Sequence, residues 1–276
     1  MVKNIDLKTV KSFGDEWLRY DQSGMKKDEI IEMFETYFSI FPWNSLPKIA
    51  KGFDMGCGSG RWAELVAPKV QHLNCIEPSD AIKVAKRKLK KFKNISYYKR
   101  SLDDSGIKKG SQDFGYSLGV LHHVPNTAEA IKSCSNLLKP GAPFLIYIYY
   151  DFDNRPFWFK YLWSFSNFLR LIIYRLPKPL KFLICDLIAI SLYYPCAKIV
   201  TLIEKFGFDF KNFPLHAYRN RSFYVMRTDS RDRFGTPLER RFTKSEIHKM
   251  MKQAGLQKIK FSNSVPFWTA VGLKKK

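Results

Sequence analysis

The stretch Gly52-Phe53-Asp54-Met55-Gly56-Cys57-Gly58-Ser59-Gly60 decides how this chain is read. Gly52 to Met55 reads as the end of a strand and Arg61 to Lys69 (RWAELVAPK) as a short helix, so three glycines occupy a strand-to-helix turn. Such a turn needs glycine because its dihedrals are unusual and a ligand must approach bare backbone. A dinucleotide fingerprint, G-x-G-x-x-G, would place its third glycine at position 61. Arg61 stands there, and the pattern is G-x-G-x-G. His72 to Ile76 (HLNCI) predicts the second strand, and Glu77 at its carboxyl end is placed to accept hydrogen bonds from both hydroxyls of a ribose. The spacing fits a nucleoside without demanding a pyrophosphate. Taken singly, the loop reads equally as a tight turn, Glu77 as a solvated residue before Pro78, and Asp54 as a cap of the turn.

On these residues the chain resembles the class I S-adenosylmethionine (SAM) dependent methyltransferases of the small-molecule type. Four further segments follow in that family's order: Ser101-Leu102-Asp103 after a third strand (Ile95 to Tyr98); Asp113 to Val120 with Leu121-His122-His123-Val124; Leu137 to Gly141 with Phe144 to Tyr149; and Thr243 to Gly255 with Gln257 to Phe261 and Phe267 to Leu273. The resemblance covers roughly residues 50 to 150 and 240 to 276. It implies an α/β fold, a Rossmann-like seven-stranded sheet with helices on both faces, and SAM as cofactor with S-adenosylhomocysteine as product. It further implies that Trp17, Asp54, Gly56, Gly58, Gly60, Glu77, Pro78, Leu102, Asp103, Leu118 and Gly119 line the cofactor, with Asp54 at its methionine end and Asp103 near the adenine.

With 276 residues and 45% apolar composition the chain can bury a substantial core, and one methyltransferase domain with an insertion is the economical count. The expected layout is a helical cap over 1–50, the cofactor core over 51–150, an insertion or lid over 151–242 that shapes the acceptor site, and a C-terminal helix and strand pair over 243–276. In the cap, Phe13, Trp17 and Tyr20, then Phe34, Tyr37, Phe38 and Phe41, recur at helical spacing, which predicts two amphipathic helices parted near Gly24. Trp17 reads either as a lid residue over the cofactor or as a core aromatic. Cys57, Cys75, Cys134, Cys185 and Cys196 lack metal-site spacing and read as reduced, buried thiols without zinc. The first thirty residues have no apolar leader region, so the expectation is a cytoplasmic protein, with a peripheral place at the membrane surface as the variant.

The net charge of +22 favours nucleic acid, an anionic membrane surface or an anionic substrate, unless it is only a solvated face, as Lys86 to Lys93 suggests. Within the insertion, Pro156 to Leu176 and Leu180 to Ile203 are aromatic and aliphatic and predict a helical hairpin whose apolar faces pack on each other. Asp186, Pro195 and Lys198 interrupt the second run, which argues against a membrane-crossing helix. Aromatic, apolar and basic residues together also suit a contact lying on anionic lipid. The second half, from His216 to Arg241, is rich in arginine. Tyr218, Arg219, Tyr224, Arg227 and Arg233 read either as a site for an acidic acceptor or as an internal salt-bridge network. Asp232 to Pro237 resembles a turn that returns the chain to the pocket in small-molecule members of the family, which implies that Arg233 or its neighbours face substrate.

Methyl transfer is an in-line displacement helped chiefly by alignment, and a base is needed only if the nucleophile keeps its proton at neutral pH. His122 and His123 are the base candidates, and His216 is the other source. The expected activity is methylation of an O or N atom of a small, lipid-linked or sugar-linked anionic acceptor. The alternatives are a tRNA or other RNA methyltransferase, motivated by the charge, and a non-catalytic SAM-binding partner at the membrane surface.

Overall fold

The computed structural model describes residues 3–276. Two helices precede the first strand, α1 (Leu7–Arg19) and α2 (Lys27–Phe38). Asp6 caps α1 by accepting a 2.7 Å bond from Thr9 N, which satisfies one of the orphan donors of the first turn. Five short apolar runs then form parallel strands: β1 (Lys51–Met55), β2 (His72–Ile76), β3 (Ile95–Tyr98), β4 (Phe114–Leu118) and β5 (Pro143–Tyr147). Helices α3 (Ala63–Val66), α4 (Ala81–Lys88) and α5 (Thr127–Ser135) make the crossovers. After four more helices and α10 (Lys244–Gln253), β6 (Leu256–Phe261) and β7 (Thr269–Lys274) add an antiparallel pair, giving the order β3-β2-β1-β4-β5-β7-β6.

The period of two along β5 sends Phe144 and Ile146 into one apolar core, shared with α5 and α10, and Leu145 into the other, shared with α2, α3 and α4. A parallel sheet covered on both faces follows from this pattern. The strand order reverses between β1 and β4, and in open α/β sheets ligands bind outside the carboxyl ends at such a point. β4 ends at Leu118, where Gly119 turns to φ +77° and leaves the ladder, and β5 ends at Tyr147.

The chain divides into two units. The first comprises residues up to Gln22, Ile30–Asp151 and Leu238–Lys276; the second comprises Ser23–Glu29 and Phe152–Pro237. In the second unit, α6 (Trp158–Ile173), α7 (Lys178–Ile188), α8 (Tyr194–Lys205) and α9 (Phe223–Gly235) supply nearly all the structure. The expected hairpin is replaced by a different packing: α6 and α7 each lie chiefly on α9. A π turn over Ala189–Tyr193 joins α7 to α8, so Lys178–Lys205 is one uninterrupted helix of 28 residues. Pro195 does not break it: it directly follows the π turn, whose shifted hydrogen-bond pattern accommodates the missing N–H. By length and composition this helix could cross a membrane, contrary to the expectation drawn from its three interruptions. The predicted turn from Asp232 to Pro237 also gives way, since Asp232 to Gly235 form the last turn of α9. All five cysteines are free thiols, four of them buried, whereas Cys196 is partly exposed.

Candidate cofactor site

The glycine loop leaves β1 with Gly56 at φ +80° and Gly58 at φ +53°, left-handed conformations that other residues seldom adopt. Gly56 N and Cys57 N both donate to Ile76 O, at 2.8 and 3.0 Å, which folds the loop back onto the end of β2. Gly58 N thereby reaches Glu77 Oε2 at 3.1 Å, while Ser79 N donates to Glu77 Oε1 at 2.9 Å. The Glu77 carboxylate is thus aimed by two backbone donors, and each oxygen keeps a lone pair for a ribose hydroxyl. Pro78, half-buried, fixes φ between these two anchors.

Asp54 lies at the end of β1, in register with Tyr116 of β4, and is 1% exposed. Its Oδ2 has no hydrogen-bond partner among the described residues. Burial pushes the carboxyl up to about 8; the neighbouring Tyr116 phenol opposes the shift and the Glu77 charge adds to it. Burial likewise raises Glu77, although Ser79 and the Gly58 backbone act the other way. Two buried carboxylates without a cation between them call for a ligand that brings hydrogen-bond donors and positive charge. SAM, with its ribose hydroxyls, ammonium and sulfonium, meets that requirement.

One face of α1 covers both loops. A Cβ built on Gly58 would lie 3.2 Å from Trp17 Nε1, and one on Gly14 would lie 3.3 Å from Ser79 Cβ. Residues 14 and 17 share a helix face, so α1 reaches the glycine loop and the Glu77 turn together. Gly60 closes the turn against Leu89 and Ala85. Across the switch point, Gly119 opens onto free space, with nothing within 4 Å of a Cβ there, beside Leu118. After β3, Leu102 packs on the first core, and Asp103 Oδ2 accepts a 2.5 Å bond from Asn4 N. Asn4 also exchanges two bonds with the backbone of Asn126, at 2.7 and 2.8 Å. A strap of N-terminal backbone therefore ties the loop after β3 to the N-cap of α5.

His122 and His123 form a 3-10 turn after β4; His122 stacks on Tyr149 with ring centroids 3.8 Å apart, and His123 meets that ring edge-on at 5.6 Å. His122 is fully buried and neither ring nitrogen has a partner; burial, His123 and Arg241 hold its pKa well below the usual histidine value. His123 Nδ1 lies 2.6 Å from Leu238 O. A carbonyl only accepts, so Nδ1 carries the proton and Nε2 is the nitrogen with the basic lone pair. Phe13 meets the His123 ring edge-on at 4.9 Å, which fixes its orientation.

The first unit therefore assembles Trp17, Asp54, the three glycines, Glu77, Pro78, Leu102, Asp103, Leu118, Gly119 and both histidines around the switch point. The remaining expected residues belong to the second unit and are engaged within it. Arg227 makes a two-pronged pair with Asp186 at 3.0 and 2.7 Å. Arg219 bonds Glu204 at 3.0 Å, Tyr218 bonds Asp229 at 2.9 Å, and Arg233 bonds Ser166 at 2.7 Å. Tyr224 packs on Gly24, and His216 is held by Phe213 O at 3.1 Å and Arg155 at 3.4 Å. These contacts fit the internal-network reading of the residues, with Arg227 and Asp186 joining α9 to α7. Burial also lowers the pKa of His216, with Arg155 acting in the same direction. Sequence reasoning missed Asn4, Tyr116, Tyr149 and Arg241. An isolated Asn carries no period, and the other three lie inside quoted segments that give no sign of which side chain matters. Among the described residues, no three His, Cys, Asp or Glu come together as a metal site.

The methyltransferase domain family matches residues 53–146. The ubiquinone biosynthesis O-methyltransferase of Saccharophagus degradans is 35% identical over 94 residues, covering 33% of this chain and 40% of that enzyme. The enzyme of the same name from Hahella chejuensis is 26% identical over 144 residues, covering 51% of this chain and 60% of its own length. The chain thus spans 40% and 60% of the length of these relatives. Among solved structures, a SAM-dependent methyltransferase of Thermotoga maritima superposes with a TM-score of 0.51 at 13% identity, over 96% of this chain and 100% of that one. The YcgJ protein of Bacillus subtilis gives 0.52 at 12% identity, over 91% and 100%. Strand order and glycine loop agree with that match: residues 53–146, within the first unit, are similar to the methyltransferase domain family, on a sheet with the fold of these solved structures.

Proposed function

We propose that this protein binds SAM at the carboxyl ends of β1, β2 and β4 and transfers its methyl group to an O or N atom of a small, lipid-linked or sugar-linked acceptor. The observation that carries the reading is the buried Asp54 and Glu77 pair, set across the glycine loop beneath Trp17. Bound there, SAM supplies an electrophilic methyl on a sulfonium. Glu77 takes the ribose, Asp54 the donors at the methionine end, and the turn of Leu102 and Asp103 the adenine side. His123 Nε2 accepts the proton that an acceptor hydroxyl or amine must lose as the new bond to carbon forms. His122, neutral and buried, packs the turn that presents His123.

The acceptor is less constrained. The relatives' name supports oxygen as the acceptor atom, but the match falls on the cofactor half, which serves many acceptors. A phenolic or enolic hydroxyl suits a neutral histidine base. Anionic character in the acceptor rests on the overall charge of +22 rather than on the arginines of the second unit. RNA is the alternative that this charge favours. Purified protein supplied with SAM labelled on its methyl group, together with lysate separated into lipid, RNA and small-molecule fractions, tests the proposal. Label in the lipid or small-molecule fraction supports it, and label in RNA alone replaces it with the alternative. No label in any fraction, with SAM bound, leaves a non-catalytic SAM-binding protein.

A further inference from the structure

From Phe157 to Phe208 the second unit turns large apolar side chains outward. Phe157 is 78% exposed, Tyr161 73%, Phe165 63%, and Phe206 70%. The long helix Lys178–Lys205 has two unlike sides. Phe182, Cys185, Ala189, Tyr193, Ala197 and Val200 form a buried stripe, through which it packs on its own unit. The other side shows Leu180, Leu183, Leu187, Ile190 and Tyr194, with Lys178 at one end and Lys198 toward the other. Soluble monomers seldom leave so long an apolar strip uncovered.

We propose that this face docks on an anionic lipid bilayer, with α6 and the α7–α8 rod lying in the interface plane. Three observations select that occupant. Charge is the first: between Phe157 and Phe208 there are seven Lys or Arg, of which Arg170 is buried, and two acids, Asp186 and Glu204, which are already paired with Arg227 and Arg219. A second copy of the chain would bring the same positive charge against itself, whereas acidic headgroups complement it. The aromatic residues are the second. Trp158 and Tyr161 stand on the exposed side of α6, and such rings favour the headgroup level. The third concerns orientation. The rod is about 42 Å long at 1.5 Å per residue, enough to cross a bilayer. Its buried side, however, packs on α9, which carries Arg227, Asp229, Arg231, Asp232 and Arg233. A crossing rod would draw that charged helix into hydrocarbon, while a rod lying in the interface keeps α9 on the protein side.

The test is flotation of the full chain, made by cell-free synthesis in the presence of vesicles of phosphatidylcholine alone or mixed with phosphatidylglycerol. The chain should float with the mixed vesicles, at least about tenfold more than with the neutral ones, and the bound fraction should fall as salt screens the headgroups. An alkaline carbonate wash should strip it. Leu183→Glu with Leu187→Glu and Ile190→Glu should abolish flotation, as should Phe157→Ser with Tyr161→Ser and Phe165→Ser on the other helix. Retained S-adenosylhomocysteine binding and an unchanged circular dichroism spectrum would show that both variants fold. No flotation, equal flotation with neutral vesicles, or flotation unchanged in the folded variants would overturn the proposal. Resistance to carbonate would replace the in-plane arrangement with a span, and a stable dimer that hides the face without vesicles would replace lipid with a second copy. None of these outcomes depends on methyl transfer.

Discussion

In the first unit Phe53, Leu73 and Phe144 have no exposed surface, whereas in the second Phe157, Tyr161 and Phe165 expose more than three fifths of theirs. The charges are arranged the other way round. The cofactor region buries Asp54 and Glu77 with no cation between them, while the second unit pairs Arg227 with Asp186 and Arg219 with Glu204. A site that must admit a charged ligand keeps polar groups unsatisfied, at a cost in stability to the empty protein. The helices of the second unit hold these two arginines in internal pairs and leave large apolar side chains outside. On the two proposals above, the difference separates a region that receives a small cation from one that meets an apolar surface.

The sharpest way to break that contrast is at Glu77. Glu77→Ala removes the acceptor of two ribose hydroxyls, and at about 1.5 kcal/mol or more per charged hydrogen bond SAM affinity should fall about 100-fold or more. Equilibrium dialysis with labelled SAM checks this, and unchanged affinity would end the ribose role.

Asp54→Asn probes the stability cost. The folded carboxyl titrates near 8, above its unfolded value, so its contribution to stability is fullest below pH 4 and is lost as pH rises to about 8. An amide cannot ionise. The variant without cofactor should therefore be more stable than wild type at pH 8, by at least about 1 kcal/mol, and this advantage should shrink toward pH 4. Urea unfolding at the two pH values measures it. SAM affinity should fall in the same variant; a gain in stability together with intact binding would separate the buried charge from function.

Arg227→Ala tests the other side of the comparison. Loss of its paired forks should cost about 1–2 kcal/mol, since both partners are partly solvated. The loss should appear as faster hydrogen exchange in α7 and α9, with SAM affinity unchanged. Lower SAM affinity in that variant would show that the second unit contributes to cofactor binding. The smallest effect is expected at Thr243, whose side chain and that of Glu246 form a reciprocal capping box on α10. Thr243→Ala should lower stability by about 1 kcal/mol in thermal unfolding without altering either unit's ligand.

The first unit was largely legible because its signals are local. β2 and β3 fall where their apolar runs end, and Glu77 follows β2 by rule. The histidine pair was visible too, but the roles within it were not. The Leu238 carbonyl that fixes the His123 tautomer lies 115 residues away in sequence. Asn4 was invisible for the same reason, since its bonds to Asp103 and Asn126 depend wholly on tertiary structure. The second unit was legible in composition but not in form. Its α9 buries Thr228, Ser230 and Arg231 along with Val225 and Phe234, so no apolar stripe announces a helix. Pro195 and Asp186 look like breaks in a row of letters. One directly follows the π turn and the other finds Arg227, so the helix continues through both.

The central claim is that the Asp54 and Glu77 pair awaits a cationic nucleoside cofactor. Calorimetric titration of SAM into the wild-type protein at pH 7, in two buffers of different ionisation enthalpy, tests it most directly. A carboxyl poised near 8 is mostly protonated at pH 7, so binding a cation beside it should release close to one proton, and the apparent enthalpy should differ between buffers accordingly. In Asp54→Asn that difference should vanish. SAM binding with no proton release, or no binding at all, would contradict the account.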